Sequence, residues 1–452
     1  MNEIKTSRFL LDRILEDLGL DKRQVPAVWY QAAEHVLGPD ADPQQDPASD
    51  QSRLFLSVLE PDRLLEYGSW IGLDETCIAE LIRAAEIIKI HKQSSLFLQI
   101  NAWSLFCSGL KPGEDAFRVP ELPKILDHLA GLFPVLALLT GIPDMIAFYE
   151  IHQMPQAILI ATLGDVKIWM DDFRRINARP GLSSFWWHHL HLSGALFRIG
   201  RLQFAHTHFS GSLKAYRNRV TGQVCALSLS GITYRSDGQV DGTNGIFDRR
   251  TAWTASLKET EQQVVGSPIC ARGDAVKPEL TLSFDRWQPK LVPGDGVLDI
   301  HIPEDGRLDH EACGRSIRNA IVFFRTHFPN LEIKALVCTS WILDPQLQAI
   351  LDSSANLCRF QRELYLYPIR SDDRQTFERV FHSTPDEIRR LQAETSLQKA
   401  IIKHVKAGNR MHAGGMFLLI DDVAAWGSHD GPAYQDCDLN RQNEQDTPAN
   451  MT

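Results

Sequence analysis

VLDIHIPEDGRLDHEACGRSIRNAIVFFRTHFPNLEIKALVCTSWILDPQLQAILDSSANLCRFQRELYLYP, residues 297–368, is the stretch on which the reading of the whole chain turns. Five elements follow one another with short joints: a strand at 297–302, an amphipathic helix over 309–328, a second strand at 333–341, a short helix at 344–351 and a third strand at 359–367. Strand and helix periods alternate, which predicts a mixed sheet with helices packed on it. Within the long helix, Cys313, Ile317, Ala320, Ile321, Phe324 and Phe328 recur at intervals of three and four and form one apolar stripe. Asp309 is placed to cap its start, and Pro329 to stop it. The next helix opens on Asp344, with Pro345 at the first helical position.

Upstream, residues 1–180 carry helical patterns, at 26–37, 52–65, 76–92, 120–139, 143–152 and 165–176, after a first stripe of Phe9, Leu10, Ile14, Leu15 and Leu18. The proline-rich acidic segment 38–50 reads as a loop or linker. Composition shifts at Pro180-Gly181. From 185 to 296 the pattern is short, alternating and turn-rich, as in an antiparallel sheet wetted on one face. Downstream, helices are expected at 372–381, 385–394 and 395–406, and a last strand at 416–420. The expected architecture is α+β: a helical N-terminal domain at 1–180, a mixed-sheet domain with flanking helices at 181–425, and a disordered polar tail at 426–452.

At 452 residues with 44% hydrophobic content the chain has material for a large core and more than one domain. A formal charge of −10 argues against non-specific nucleic-acid binding. The eight cysteines form no CxxC pair, and the N-terminus is amphipathic and acidic, so free thiols in a reducing cytoplasm are expected. The most apolar run, 129–142, falls short of a membrane span.

The strings HIPEDGRL, SIRNAIVFF, CTSWILDPQL and NLCRF, with FRIGRLQF at 197–204, resemble the GNAT-like C-terminal domain of a group of bacterial acyltransferases in which a helical N-acyltransferase N-terminal domain comes first. The resemblance covers 185–367 best. It implies that the fourth strand (297–302) and fifth strand (333–341) splay apart and that acyl-CoA lies in the opening as co-substrate. A typical member carries a Q/R-x-x-G-x-G/A loop after the fourth strand, whose N–H groups hold a pyrophosphate. Here that loop is Pro303-Glu304-Asp305-Gly306-Arg307-Leu308, with one glycine and two acids, each costing about 1 kcal/mol beside a phosphate. Ile302, Gly306, Arg307, Leu308 and Ser316 are the donor-binding positions this mapping assigns.

Transfer to an amine needs a base, an oxyanion donor and an acid for the departing thiolate. His301, ending the fourth strand, is the expected base, or else a strut that orders the loop. Ser340, ending the fifth strand and expected to face His301 across the opening, is the expected acid, or else a turn cap. Cys338 reads as a small buried hydrophobe and Trp341 as packing. No tyrosine, a common acid in such enzymes, occurs between Ile333 and Phe360.

A rival reading uses the histidines. If 188–191 and 206–208 are strands, His189 with His191 and His206 with His208 each share a face and offer two nitrogens to a metal. The plainer reading makes them structural, and no metal is expected. The sequence therefore points to an N-acyltransferase moving an acyl group from acyl-CoA or another thioester to a small-molecule or peptide amine. A non-catalytic GNAT-like binding module is the alternative, favoured by the acidic loop. No motif encodes the acceptor, the acyl length or the oligomeric state.

Overall fold

The computed structural model describes residues 2–37, 55–109, 119–388, 390–428 and Tyr434. The segment 38–50, Cys437 and most of the expected tail lie outside the described residues. The chain forms two units, one of residues 1–199 with 303–305, the other of 200–302 with 306–452. The first is helical and the second holds mixed sheets with helices, the α+β arrangement expected.

The helical unit runs α1 (Asn2–Leu18), α2 (Ala27–Leu37), α3 (Pro61–Ile71), α4 (Glu75–Ile90), α5 (Lys92–Phe106), α6 (Pro123–Leu126), α7 (Leu132–Leu139), α8 (Ile142–Ile151), α9 (Gln156–Asn177) and α10 (Phe185–Leu192), then strand β1 (Leu196–Ile199). Its boundaries follow local chemistry. Asp74 accepts the Cys77 N–H to start α4, and Gly72 ends α3 at a positive φ of 86°. The α7 helix is buried on every side, and Phe133 stacks on Phe97, which meets Trp29 edge-on. The stretch Leu132–Ile151 is long and apolar enough to span a membrane by composition, more than the sequence reading allowed, yet 72% of its most apolar window is buried within the unit. That is the burial of a core helix.

The contact division between the units falls after Ile199, and residues 185–192 form a helix, not a strand. Its aromatic and histidine residues pack at helical spacing, a pattern that a short apolar run does not distinguish from a strand.

The second unit contains β2 (Leu202–His208), β3 (Leu213–Asn218), β4 (Val224–Ser228), β5 (Thr233–Tyr234), β6 (Trp253–Thr254), β7 (Leu257–Glu259), β8 (Gln263–Gly266), β9 (Pro268–Ile269), β10 (Leu280–Ser283), β11 (Trp287–Leu291), β12 (Gly296–His301), β13 (Ala335–Ser340), β14 (Tyr365–Pro368) and β15 (Gly414–Leu419). Its main sheet has the order β2-β12-β13-β15-β14, and a second sheet the order β11-β3-β4-β9. One face of the main sheet, with Val297, Ala335, Val337, Tyr365, Phe417 and Leu419, shares a core with Leu213, Ala215, Val224, Ala226 and Ile269 of the second sheet. The opposite face meets α11 (His310–His327), whose stripe of Cys313, Ile317, Ala320 and Phe324 is buried. The remaining helices are α12 (Leu347–Ile350), α13 (Asn356–Arg362), α14 (Arg374–Phe381) and α15 (Ser396–Lys406).

The third strand does not begin at 359: α13 occupies 356–362, held by the Gln361 amide donating to the carbonyls of Ile342 and Asp344, and β14 begins at Tyr365. The buried Trp426 stacks on His310 and donates its indole N–H to the His310 carbonyl, and the Tyr434 hydroxyl accepts the Leu419 N–H at 2.9 Å.

Candidate active site

The site begins with a failure of pairing. Strands β12 and β13 run parallel with Val297 opposite Ala335, Leu298 opposite Leu336 and Asp299 opposite Val337, and their ladder stops there. Each strand continues with its other neighbour, β12 with β2 as far as His301–Gln203 and β13 with β15 as far as Ser340–Gly414. The strand ends Ile300–His301 and Cys338–Ser340 therefore part from each other while each stays paired on its other side. Backbone groups along such a fork are no longer paired across it, and they suit a ligand arm that carries amides.

Side-chain parity then sorts the fork. Partners in register point to the same face, and alternate residues share it. Asp299, His301, Val337 and Thr339 thus occupy one face, and Leu298, Ile300, Leu336, Cys338 and Ser340 the other. On the first face Asp299 Oδ2 lies 3.4 Å from His301 Nε2, with roughly a third of each side chain open to water. Burial pushes the Asp299 carboxyl up to about 7, opposed only by a hydrogen bond from the Ile300 N–H. A carboxyl and an imidazole in contact, with the carboxyl titrating near neutrality, form a proton-accepting pair.

A tyrosine arrives from another strand. Gly415 is the partner of both Thr339 and Tyr367, so these residues lie in one row across the sheet. A Cβ on Gly415 would stand 2.3 Å from the Tyr367 ring and 2.8 Å from its hydroxyl. The absence of that Cβ is what lets the ring lie across the row toward the fork. Burial, with Cys338 and Asp299 nearby, raises the Tyr367 phenol far above its usual range, so it keeps its proton.

Two family comparisons bear on this arrangement. Residues 62–194 match the N-acyltransferase N-terminal domain, and residues 196–418 match the GNAT-like C-terminal domain. The chain is an N-acyltransferase-domain protein with a GNAT-like C-terminal domain. Among solved structures it is similar to an acyltransferase in complex with decanoyl-CoA and teicoplanin, at 21% identity and a TM-score of 0.59, over 91% of this chain and 99% of that one. An acyltransferase mutant in complex with octanoyl-CoA is similar at 22% identity and a TM-score of 0.56, over 90% and 99%. An acyltransferase in complex with CoA and 10C-teicoplanin gives 21% and 0.56, over 91% and 99%. At these identities the likeness is one of fold. None of the curated proteins matches the chain.

Within the GNAT-like domain the residues expected from the sequence separate. His301 stands at the fork. Ser340 does not face it: its parity places it on the opposite face, where its Oγ accepts the Ile342 N–H at 3.4 Å and caps a 3-10 turn. Thr339, exposed, takes the place across from His301. Cys338 is buried, its thiol held well above its normal pKa by burial. Ser316 is also buried, and its Oγ accepts the Leu202 N–H at 3.1 Å, which ties α11 to the start of β2. Such a hydroxyl is an internal anchor rather than a ligand contact. Ile302, Gly306, Arg307 and Leu308 lie in the loop between β12 and α11, where the Arg201 guanidinium donates to the carbonyls of Gly306 and Arg307 at 2.7 and 2.9 Å. The Asp309 carboxylate caps α11 by accepting the Ala312 N–H. In the helical unit, Asp305 pairs with Arg198 at 2.6 Å, which compensates this loop acid.

Asp299, Tyr367 and Arg201 were absent from the sequence reading. For Asp299 a signal existed, since D-x-H in a strand puts both side chains on one face. For Tyr367 and Arg201 no local signal existed, because sheet order and loop packing bring them in.

Proposed function

We propose that this protein transfers an acyl group from acyl-CoA to the amine of a small-molecule acceptor. The observation that carries the proposal is the parting of β12 and β13 just past Asp299–Val337, with Asp299, His301 and Tyr367 gathered on one side of it. The solved acyltransferases of like fold, in complex with acyl-CoAs and with teicoplanin, support the donor class and a small-molecule acceptor.

In this reading the acyl thioester lies in the fork with its carbonyl near the His301 end. His301 accepts the proton of the attacking amine, and Asp299 orients the ring and balances its positive charge. The nitrogen bonds to the acyl carbon, and the tetrahedral intermediate collapses with loss of the CoA thiolate. Tyr367, still protonated, donates a hydrogen bond to the departing sulfur. The departing sulfur takes up the proton held by His301, and the products are an amide and free CoA.

The test is a transfer assay with decanoyl-CoA and a panel of amines, together with calorimetric donor binding. His301→Ala is expected to bind donor within about threefold of wild type and to lose about a hundredfold or more in kcat. Tyr367→Phe is expected to lower kcat with little change in KM. Failure of the wild type to bind any acyl-CoA at millimolar concentration would instead favour a non-catalytic ligand-binding module.

A further inference from the structure

The helical unit contains a second chemical cluster that acyl transfer does not use. His188 and His191 are three residues apart on α10 and so share a face. Asp165 of α9 lies against them, and the three side chains are fully or almost fully buried. One ligand atom from each lies within 4.8 Å of the others.

His191 Nδ1 lies 3.0 Å from the Trp187 carbonyl, an acceptor only, so that nitrogen carries a proton. In the neutral ring Nε2 is then a lone pair, yet it faces Asp165 Oδ2 at 3.4 Å. A proton or a cation shared between the two would join them. His188 adds to this: neither of its buried ring nitrogens has a hydrogen-bond partner of normal geometry. A completely buried imidazole with both nitrogens unsatisfied is costly.

Each of these features is met by a metal ion. The 3.4 Å edge between His191 and Asp165 is close to the ~3.3 Å that separates ligands on a tetrahedral ion with bonds of about 2.0–2.1 Å. The Trp187 carbonyl fixes the His191 tautomer that presents Nε2. The indole N–H groups of Trp169 and Trp187 each donate to Asp165 Oδ2 at 3.1 Å and orient the carboxylate. Two imidazoles and a carboxylate form a borderline donor set that suits Zn2+ better than a hard cation. We infer that Asp165, His188 and His191 bind one zinc ion that clamps α9 to α10, with His188 turning in as the third ligand. The pair expected from a strand, His189 with His191, is not the one used. His189 Nε2 bonds the Leu105 carbonyl at 2.7 Å instead.

The experiment uses the full-length protein, stripped by a strong chelator and then reloaded with zinc. Metal content is measured by mass spectrometry beside thermal unfolding, for wild type, His188→Gln and Asp165→Asn. The wild type is expected to take up about one zinc per chain and to gain several degrees in Tm, while both variants take up less than about a tenth as much. Cobalt loading is expected to give tetrahedral bands without a thiolate charge-transfer band, which separates this site from the cysteines. Absence of stoichiometric uptake by the reloaded wild type overturns the inference and leaves a shared proton between His191 and Asp165. Undiminished uptake by both variants also overturns it. Because the stripped wild type serves as its own reference, poor folding of a variant does not decide the result.

Discussion

Replacing Asp299 with asparagine tests the candidate site through its proton. The carboxyl is raised to about 7 by burial, against an ordinary value of about 3.9. Three units would correspond to roughly 4 kcal/mol of linkage. With 35% of the side chain open to water, solvent screening reduces this to on the order of 1–2 kcal/mol. The sign follows from the direction of the shift. A folded-state pKa above the unfolded one means that the native state holds the proton more tightly. The stabilisation is full below about pH 4 and is lost as pH rises through about 7.

Asparagine cannot ionise, so the variant escapes this loss. Urea denaturation of wild type and Asp299→Asn at pH 5 and pH 8 would measure it. Relative to the variant, the wild type should lose on the order of 1–2 kcal/mol between the two conditions. The variant should also show lower kcat/KM and a changed acidic limb in its pH–rate profile. A stability difference that is independent of pH, or that favours wild type more at pH 8, would refute a buried, proton-retaining carboxyl at the fork.

Two serines discriminate the site from its scaffold. Ser316→Ala should cost about 1–3 kcal/mol by orphaning the buried Leu202 N–H while leaving acyl-CoA affinity within about twofold; an isolated loss of affinity without loss of stability would restore the donor-contact reading. Ser340→Ala should cost at most about 1 kcal/mol through its long cap to Ile342 and leave kcat unchanged, and a hundredfold fall in kcat would make Ser340 the acid after all.

Elements that depend on local pattern were legible in the sequence. The α11 stripe, its Asp309 cap and the strand ending at His301 follow from spacing and capping chemistry. So does the order strand, helix, strand that places a fork after the fourth strand. What a strand period cannot reveal is which neighbour each strand keeps. Only the sheet order, with β15 between β13 and β14, shows that Gly415 lies in one row with Thr339 and Tyr367. Parity likewise needs the register before it means anything: with Asp299 opposite Val337, Thr339 shares the His301 face and Ser340 does not.

The 185–192 segment shows the same limit in a helix. An eight-residue apolar and aromatic run fits either period, and its tertiary setting against Asp165 selects the helix that brings His188, rather than His189, beside His191. Local composition thus determined which elements form and where chemistry-bearing side chains sit along them. Which of those side chains meet was decided by long-range packing, because sheet order, register and helix facing arise from burial shared between segments far apart in the chain.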